Sequence, residues 1–287
     1  MEINMDLTEK FAPNTDEIFK AESKSALVTN TDYDFTGAHA VKIWKISTAE
    51  LNDYQRNVTS ADDERLSRYG ALLDLNAVTE EMILSKDRSF IFNVDKLDVD
   101  ETSEQLEAAS ALARELREVV IPEVDSYVFG KMVSGAAEGN TVVGDLTAAN
   151  VYESIVAGSE KLDDAEVPDT ERVLIVTPET YKLLKLSGFL DKSDIGAELR
   201  LNGVIAVLDG TMVIKVPASR LPQGVGFILA HPSATTRPIK LEDYHTHSDT
   251  PLASGDIVTG RICYDAFVLE NKAVGIYVHK LEDDSES

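Results

Sequence analysis

The last third of this chain, residues 199–281, constrains the fold more than any other part of the sequence. Short apolar runs alternate there with residues that favour tight turns. The turn signals are Asp209-Gly210, Pro222, Gly224, Pro238, Pro251, Gly255 and Asn271. This spacing is typical of strands joined by short connections. No catalytic or cofactor-binding spacing is visible in the stretch, so the sequence predicts a β-rich region whose shape is its function.

One long amphipathic helix is predicted upstream, from Thr102 to about Met132. Thr102 and Gln105 match a capping box. Apolar residues then recur at steps of three and four, as in a helix with one buried face. They are Leu106, Ala109, Ala113, Leu116, Val120, Val124 and Tyr127. Pro122 lies inside the pattern and is expected to kink or divide the helix, because proline lacks an N–H and crowds the preceding turn.

Two short strands before this helix, Met82–Leu84 and Phe90–Val94, are predicted to form a projecting hairpin. Lys86, Asp87 and Arg88 would lie at its tip. A charged tip is typical of a solvated turn, and a hairpin that reaches a neighbouring subunit would have the same sequence. Both interpretations stay open at this point.

The first 25 residues are polar. Asn14 or Thr15 is expected to cap a short helix that carries Ile18 and Phe19. Two apolar side chains are too few for independent packing. The segment is therefore expected to be an arm that docks on another surface, or a frayed terminus.

Smaller elements follow from local signals. Further strands are predicted within residues 27–46 and 257–279. The last two strands are expected to pair with each other, Ile257–Leu269 with Val274–His279. A helix is predicted over 148–162 and a buried strand over 173–176. Thr177, Pro178 and Gly188 then supply the N-cap, first position and end of another helix. Asp209-Gly210 predicts a two-residue hairpin turn.

Charge limits the partners of the chain. Asp and Glu total 51 against 27 Lys and Arg, a formal net charge of −24. A DNA-binding surface needs clustered cations, and none is visible. The acidic balance indicates solubility, or a surface that encloses DNA without adhering to it. No apolar run is long enough to span a membrane and no secretory signal is visible, so we expect an intracellular protein. The single Cys263 is expected to be a buried small hydrophobe.

Motifs that carry chemistry are scarce. The sequence has no phosphate-binding loop and no nucleophile elbow. The only cluster with metal-ligand character is His245 and His247, with Asp243 and His231 nearby in sequence. It suggests a metal-dependent hydrolase as one alternative. Two exposed histidines in a polar segment are the simpler interpretation, because no further ligand completes the site.

Several segments in order resemble the major capsid proteins of tailed phages, which have the Hong Kong 97 fold. They are MILSKDRSFIFNVDKLDVDET, ELREVVIPEVDSYVFGKM, RVLIVTPETYKLLK, RLNGVIAVLDGTMVIKVPASR, FILAHPSATTRPIKLEDYHTH and IVTGRICYDAFVL. The resemblance covers residues 78–278 and implies an α+β fold. It implies an N-terminal arm over 1–30, strands and an E-loop hairpin over 31–100, and a spine helix over 101–135. It further implies an axial domain over 136–235. The chain would then return to the peripheral domain and end in an acidic tail, over 236–287.

The resemblance also implies a structural protein without a catalytic site, metal or cofactor. Its partners would be further copies of itself in pentamers and hexamers, a separate scaffolding protein, a portal and the enclosed DNA, with no membrane. The shell would be assembled in the host bacterial cytoplasm and form the virion capsid. Lys86, Asp87, Arg88, Ile18 and Phe19 would be assembly contacts. An encapsulin-like compartment that encloses an enzyme shares the fold and is the main alternative.

Overall fold

The computed structural model describes residues 23–33, 35, 40–46, 50–54, 56, 69, 77–95, 108–188, 204–248 and 254–282. The chain divides into two compact units, one formed by 1–36 with 85–287 and the other by Gly37–Leu84. Helices and sheets are mixed, as the α+β prediction requires. Ile18, Phe19 and the capping pair Thr102 and Gln105 lie outside the described residues. No described helix has the length and hydropathy needed to cross a membrane.

The smaller unit contains an antiparallel pair of strands, β1 (Ala40–Ile46) and β2 (Ala77–Ile83). All seven positions pair, from Ala40 opposite Ile83 to Ile46 opposite Ala77. Lys42 and Glu81 face each other across the pair with an Nζ–Oε1 distance of 3.8 Å. The strand predicted at the end of 27–46 is confirmed.

The predicted hairpin between Met82–Leu84 and Phe90–Val94 is wrong. β2 pairs with β1, whereas β3 (Lys86–Asp95) pairs over its whole length with β11 (Gly255–Tyr264). Lys86, Asp87 and Arg88 therefore lie inside a strand and not at a turn. A five-residue gap between two apolar runs is compatible with a hairpin, but the pairing is decided by a partner strand about 170 residues away in sequence.

A three-stranded antiparallel sheet has the order β10–β11–β3, with β10 at Ile239–His247. β11 is the central strand, and β10 and β3 are the outer strands. The expectation that Ile257–Leu269 pairs with Val274–His279 is wrong, because β11 lies in this sheet and β13 (Ile276–Lys280) lies in another. Local patterns identify both strands but carry no information about which neighbour each takes.

The larger sheet has six strands in the order β4–β13–β8–β5–β7–β6. Besides β13, its strands are β4 (Thr141–Val143), β5 (Val173–Val176), β6 (Val204–Leu208), β7 (Thr211–Lys215) and β8 (Val225–Ala230). β13 runs parallel to β4 and β5 runs parallel to β7, while the other pairs are antiparallel. Two short strands, β9 (Thr235–Thr236) and β12 (Phe267–Val268), form a separate pair.

One continuous long helix is confirmed. It consists of α1 (Ala108–Glu115), a wider π-helical turn at Leu116–Val120, and α2 (Ile121–Gly135). Pro122 lies at the start of α2, directly after the π turn. A π turn gives the ring of a proline room, because it shifts the hydrogen-bond ladder where the proline cannot donate. The expected interruption is thus a local widening of the helix.

The six-stranded sheet has a hydrophobic core on each face. Val173 and Ile175 of β5 face the core that also contains the long helix and part of the three-stranded sheet. Leu174 and Val176 face the other core, which contains residues of α3 (Val151–Asp164) and α4 (Pro178–Ser187). The alternation follows from the two-residue repeat of a strand, and all four side chains are fully buried. The buried strand predicted over 173–176 is confirmed.

The predicted local signals around α4 are also confirmed. The Thr177 hydroxyl accepts the Thr180 N–H at 3.1 Å, and Gly188 ends the helix with φ of 80°. At the β6–β7 hairpin, Asp209 and Gly210 have φ of 49° and 81°. Two positive φ values in succession define the turn type that the Asp-Gly pair favours. The helix predicted over 148–162 is observed as α3.

His279 on β13 is buried, and its ring stacks on Phe227 at 5.1 Å between centroids. Its Nδ1 has no hydrogen-bond partner among the described residues. Burial lowers the pKa of His279 below its usual range, because a charged ring would lose its hydration. Burial also lowers the pKa of His231.

We expect the free energy of unfolding to fall as pH is lowered from about 7 to 5, because the unfolded chain binds protons near the ordinary histidine pKa of about 6.5 and the folded chain does not. His279→Leu should weaken this dependence without removing it, since His231 contributes in the same direction. Urea titrations at several pH values measure it. His247→Gln, which removes an exposed ring, is the control for the loss of one histidine. An unchanged pH dependence in His279→Leu would show that His279 makes no contribution.

Candidate assembly surface

The exposed face of the three-stranded sheet carries a charged pair between its outer and central strands. Arg261 of β11 binds Asp87 of β3 through two hydrogen bonds, Nε to Oδ1 at 2.9 Å and a terminal nitrogen to Oδ2 at 2.6 Å. These bonds lower the pKa of Asp87. Both side chains are half exposed, so the pair adds little to stability. Its effect is to fix the position of both side chains on the surface.

Arg88 binds the long helix. Its Nε lies 2.7 Å from Oε1 of Glu123, and the Tyr264 hydroxyl donates to the same oxygen at 3.3 Å. Burial, with Glu123 nearby, raises the pKa of Tyr264. Of the three residues predicted at the hairpin tip, Asp87 and Arg88 are therefore paired within the chain.

Lys86 has a different environment. Its Nζ lies 4.9 Å from the centre of the Tyr127 ring, and Nζ of Lys131 lies 5.5 Å from the centre of the same ring. An open cleft of about 570 Å³ lies beside these residues and is also lined by Ser126 and Gly130. The sequence prediction included Lys86 but not Tyr127 or Lys131, which come from the helix.

Asp265, directly after β11, fixes the start of β3. Its carboxylate accepts the Ser85 amide and the Ser85 hydroxyl, each at 2.7 Å, and the Tyr127 hydroxyl at 2.8 Å. Two residues later, Phe267 stacks on Phe35 at 6.1 Å. Phe35 and Ser85 are the described residues of the larger unit that precede and follow Gly37–Leu84. One short segment, residues 265–267, thus contacts both of these residues within the larger unit.

Asp125, which is buried on the long helix, binds residues 23–25, the first described residues of the chain. Its carboxylate accepts the Ser23 hydroxyl at 2.8 Å and the backbone amides of Lys24 and Ser25 at 3.0 and 3.1 Å. Arg220 donates to the same carboxylate at 3.0 Å. Both oxygens are satisfied with no exposure to solvent. The arrangement attaches residues 23–25 to the helix.

Arg237 extends this polar cluster. Its terminal nitrogen donates to the hydroxyls of Ser23 and Ser25 at 2.8 and 2.9 Å. Burial lowers the pKa of Arg237, and the nearby Asp125 partly offsets this effect. The sequence did contain one signal for the cluster, since Asp125 interrupts the apolar face of the helix. Its partners Ser23, Ser25 and Arg237 carried no signal.

Within the predicted histidine cluster, the closest contact joins His245 to Asp243. His245 Nε2 lies 2.6 Å from Asp243 Oδ1, and the rings of His245 and His247 lie 5.9 Å apart. His231 binds Ser233 through Nδ1 at 2.7 Å. Within the described ranges, no three His, Cys, Asp or Glu side chains are placed to hold a metal ion. Cys263 is partly buried, and burial raises its pKa, which disfavours the reactive thiolate.

Solved structures of other proteins share this fold. No protein-family model matches the sequence, and no curated protein matches it either. A structure from Mycobacterium phage Che8 is 18% identical, with a TM-score of 0.65 over 88% of this chain and 89% of that chain. A capsid structure of the cyanophage P-SCSP1u is 10% identical, with a TM-score of 0.65 over 90% and 87%.

A virus-like particle from Pyrococcus furiosus is 14% identical, with a TM-score of 0.56 over 96% of this chain and 100% of that chain. Identities this low establish similarity of fold. Nearly the whole chain therefore has the fold of these phage and virus-like particle structures, in agreement with the capsid resemblance of the sequence.

Proposed function

We propose that this chain is the major capsid protein of a tailed phage and that it assembles into an icosahedral shell around genomic DNA. The observation that carries the proposal is the shared fold with a phage capsid over 90% of the chain. The same alignment covers 87% of the capsid chain, so the two chains share nearly their whole fold. The role proposed is structural, with no catalytic step.

The strand edges of the larger unit support assembly. β10 and β3 are the outer strands of their sheet, with 9 and 10 residues. Each has one edge that no described strand pairs. Long open edges present backbone N–H and C=O groups to any approaching chain. In a head-to-tail arrangement, such edges meet a different surface of the next subunit, and the contacts close into rings. We propose that these rings are pentamers and hexamers.

Of the residues predicted as contacts, Lys86, Ile18 and Phe19 are proposed to reach neighbouring subunits directly. Asp87 and Arg88 are proposed to act indirectly, because Arg261 and Glu123 already bind them. Their contribution would be to fix the shape of the surface that a neighbour meets.

The contents of the shell are proposed to be DNA. A net charge of −24 disfavours tight adhesion to phosphates and suits a container from which DNA must leave. A scaffolding protein and a portal would be separate partners, and assembly would take place in the host cytoplasm before the virion forms. An encapsulin-like shell around an enzyme is the competing use of the same fold.

We expect the protein to form closed particles when it is expressed alone or with the scaffolding protein of its phage. Subunits that bury large heterologous surfaces associate far more strongly than transient complexes do. Electron microscopy and sedimentation of the purified protein measure particle formation. Cells that carry an empty vector are the control.

A monodisperse monomer under both conditions would contradict the proposal. The contents of particles purified from infected cells distinguish a shell around DNA from a shell around an enzyme. Nuclease-protected DNA agrees with a phage capsid, and a single co-purifying enzyme without DNA would favour the encapsulin-like alternative.

A further inference from the structure

A cationic cleft between β3 and the long helix is left without a described counter-ion. Lys86 approaches it from β3, while Tyr127 and Lys131 approach it from one face of α2. The two ammonium groups lie 4.9 and 5.5 Å from the centre of the Tyr127 ring. The ring is held in place because its hydroxyl donates to buried Asp265 at 2.8 Å.

The ring attracts both lysines without neutralising either. An aromatic face stabilises a nearby cation by about 0.5–1 kcal/mol at exposed sites, but it carries no net charge. Neither Lys86 nor Lys131 forms an ion pair with a described residue. Glu123, the acid that lines the cleft, is bound by Arg88 and Tyr264. Two like charges beside one ring favour the approach of an anion.

We propose that this cleft receives carboxylate side chains from a second copy of this chain. The inference rests on the proposed shell-forming function and names one of its contacts. Charge complementarity carries it: acidic residues outnumber basic ones by 51 to 27, so almost any facing copy presents carboxylates. A cleft of about 570 Å³ admits one or two acidic side chains. DNA is disfavoured as the occupant, because duplex binding needs cations spread over many phosphates.

The chain contains a matched control for this cleft. Lys185 of α4 and Lys215 of β7 lie 4.9 and 5.5 Å from the centre of the Tyr181 ring, so a helical and a strand lysine again approach one ring at these two distances. Lys86→Glu/Lys131→Glu and Lys185→Glu/Lys215→Glu remove the same interactions and change the net charge equally. They differ in place, and Lys86 and Lys131 line the cleft of about 570 Å³ whereas Lys185 and Lys215 do not line it.

Purified variants are assembled at equal protein and salt concentrations and followed by light scattering and electron microscopy. We expect Lys86→Glu/Lys131→Glu to raise the protein concentration needed for particles at least about tenfold, which corresponds to about 1.4 kcal/mol. Lys185→Glu/Lys215→Glu should assemble like the wild type. Circular dichroism verifies folding, and the milder Lys86→Gln/Lys131→Gln variant replaces the first one if that variant does not fold.

Wild-type particles together with unimpaired assembly of the Lys86/Lys131 variants would overturn the inference while leaving the proposed function intact. Equal impairment of both double variants would also overturn it, because the effect would then reflect net charge. A wild-type protein that never forms particles overturns the function and the inference together.

A second measurement identifies the partner carboxylates. Particles assembled from mixed ¹⁴N- and ¹⁵N-labelled subunits are treated with a carbodiimide, which joins lysine amines to adjacent carboxylates. We expect mixed-isotope peptides that link Lys86 or Lys131 to an acidic residue of another copy. Cross-links of these lysines within single chains only would contradict the proposal.

Discussion

Asp125→Ala should lower the free energy of unfolding by about 3–5 kcal/mol, the cost of removing one partner from a buried charged pair. The carboxylate is fully buried and accepts four hydrogen bonds, one of them from Arg220. Its loss removes the carboxylate that Arg220 binds at 3.0 Å and one of the charges that offset the burial of Arg237. Because a domain is stable by only about 5–15 kcal/mol, the loss is a large share of the total. Urea denaturation measures it.

The same substitution should release the N-terminal segment before the whole protein unfolds. The amides of Lys24 and Ser25 both donate to Asp125, so the Lys24–Ser25 bond is held against the helix. Trypsin should cut after Lys24 faster in the variant than in the wild type under native conditions, because cleavage follows local opening. Glu118→Gln is the control, since it removes only an exposed pair with Arg114 that is worth about 0.3–0.5 kcal/mol. Equal stability and equal cleavage of the wild type and Asp125→Ala would show that the cluster does not hold the segment.

Gly255→Ala should have an effect of similar size. Gly255 begins β11 opposite Asp95 and has φ of 142°, a conformation that residues with a side chain rarely adopt. A Cβ there would also press on the carbonyl oxygen of Val94 and the Cα of Asp95. Both are backbone atoms of β3 and cannot move without disturbing the sheet. We expect a loss of about 2–6 kcal/mol, about 1–3 from the backbone conformation and about 1–3 from overpacking.

Gly130→Ala is the matched control, and its effect should have the opposite sign. Gly130 lies inside α2, and a Cβ there meets nothing within 4 Å. Alanine in a helix interior is favoured over glycine by about 0.5–1 kcal/mol. Thermal denaturation of both variants measures the contrast. A Gly255→Ala protein as stable as the wild type would mean that the β3–β11 register can shift to accommodate the methyl group.

Features that depend on a few neighbouring residues were predictable from the sequence. Thr177, Pro178 and Gly188 define α4, and Asp209-Gly210 defines the β6–β7 turn. Caps and turns are fixed by hydrogen bonds and φ preferences within about four residues. The long helix was predictable for the same reason, since its apolar repeat is local. Pro122 was expected to interrupt it, and the π turn is the form that the interruption takes.

The candidate contact residues show where local signals end. Lys86, Asp87 and Arg88 are consecutive charged residues, and nothing in the sequence shows which of them is paired within the chain. The fold brings Arg261 to Asp87 and Glu123 to Arg88, while it brings Lys86 to Tyr127 and Lys131. Their availability to a neighbour is therefore decided by residues that lie 35 to 174 positions away.

By itself, the sequence determined the long helix, the caps of α4, the Asp209-Gly210 turn, the acidic balance and the resemblance to capsid proteins. Only the tertiary structure decided the partners: β3 with β11, β13 with β8, and Asp125 with the segment at Ser23. The physical reason is that side-chain alternation states which face of a strand is buried but not which strand lies beside it. Pairing depends on the summed burial of residues far apart in the chain, set against the entropy of closing the loops between them.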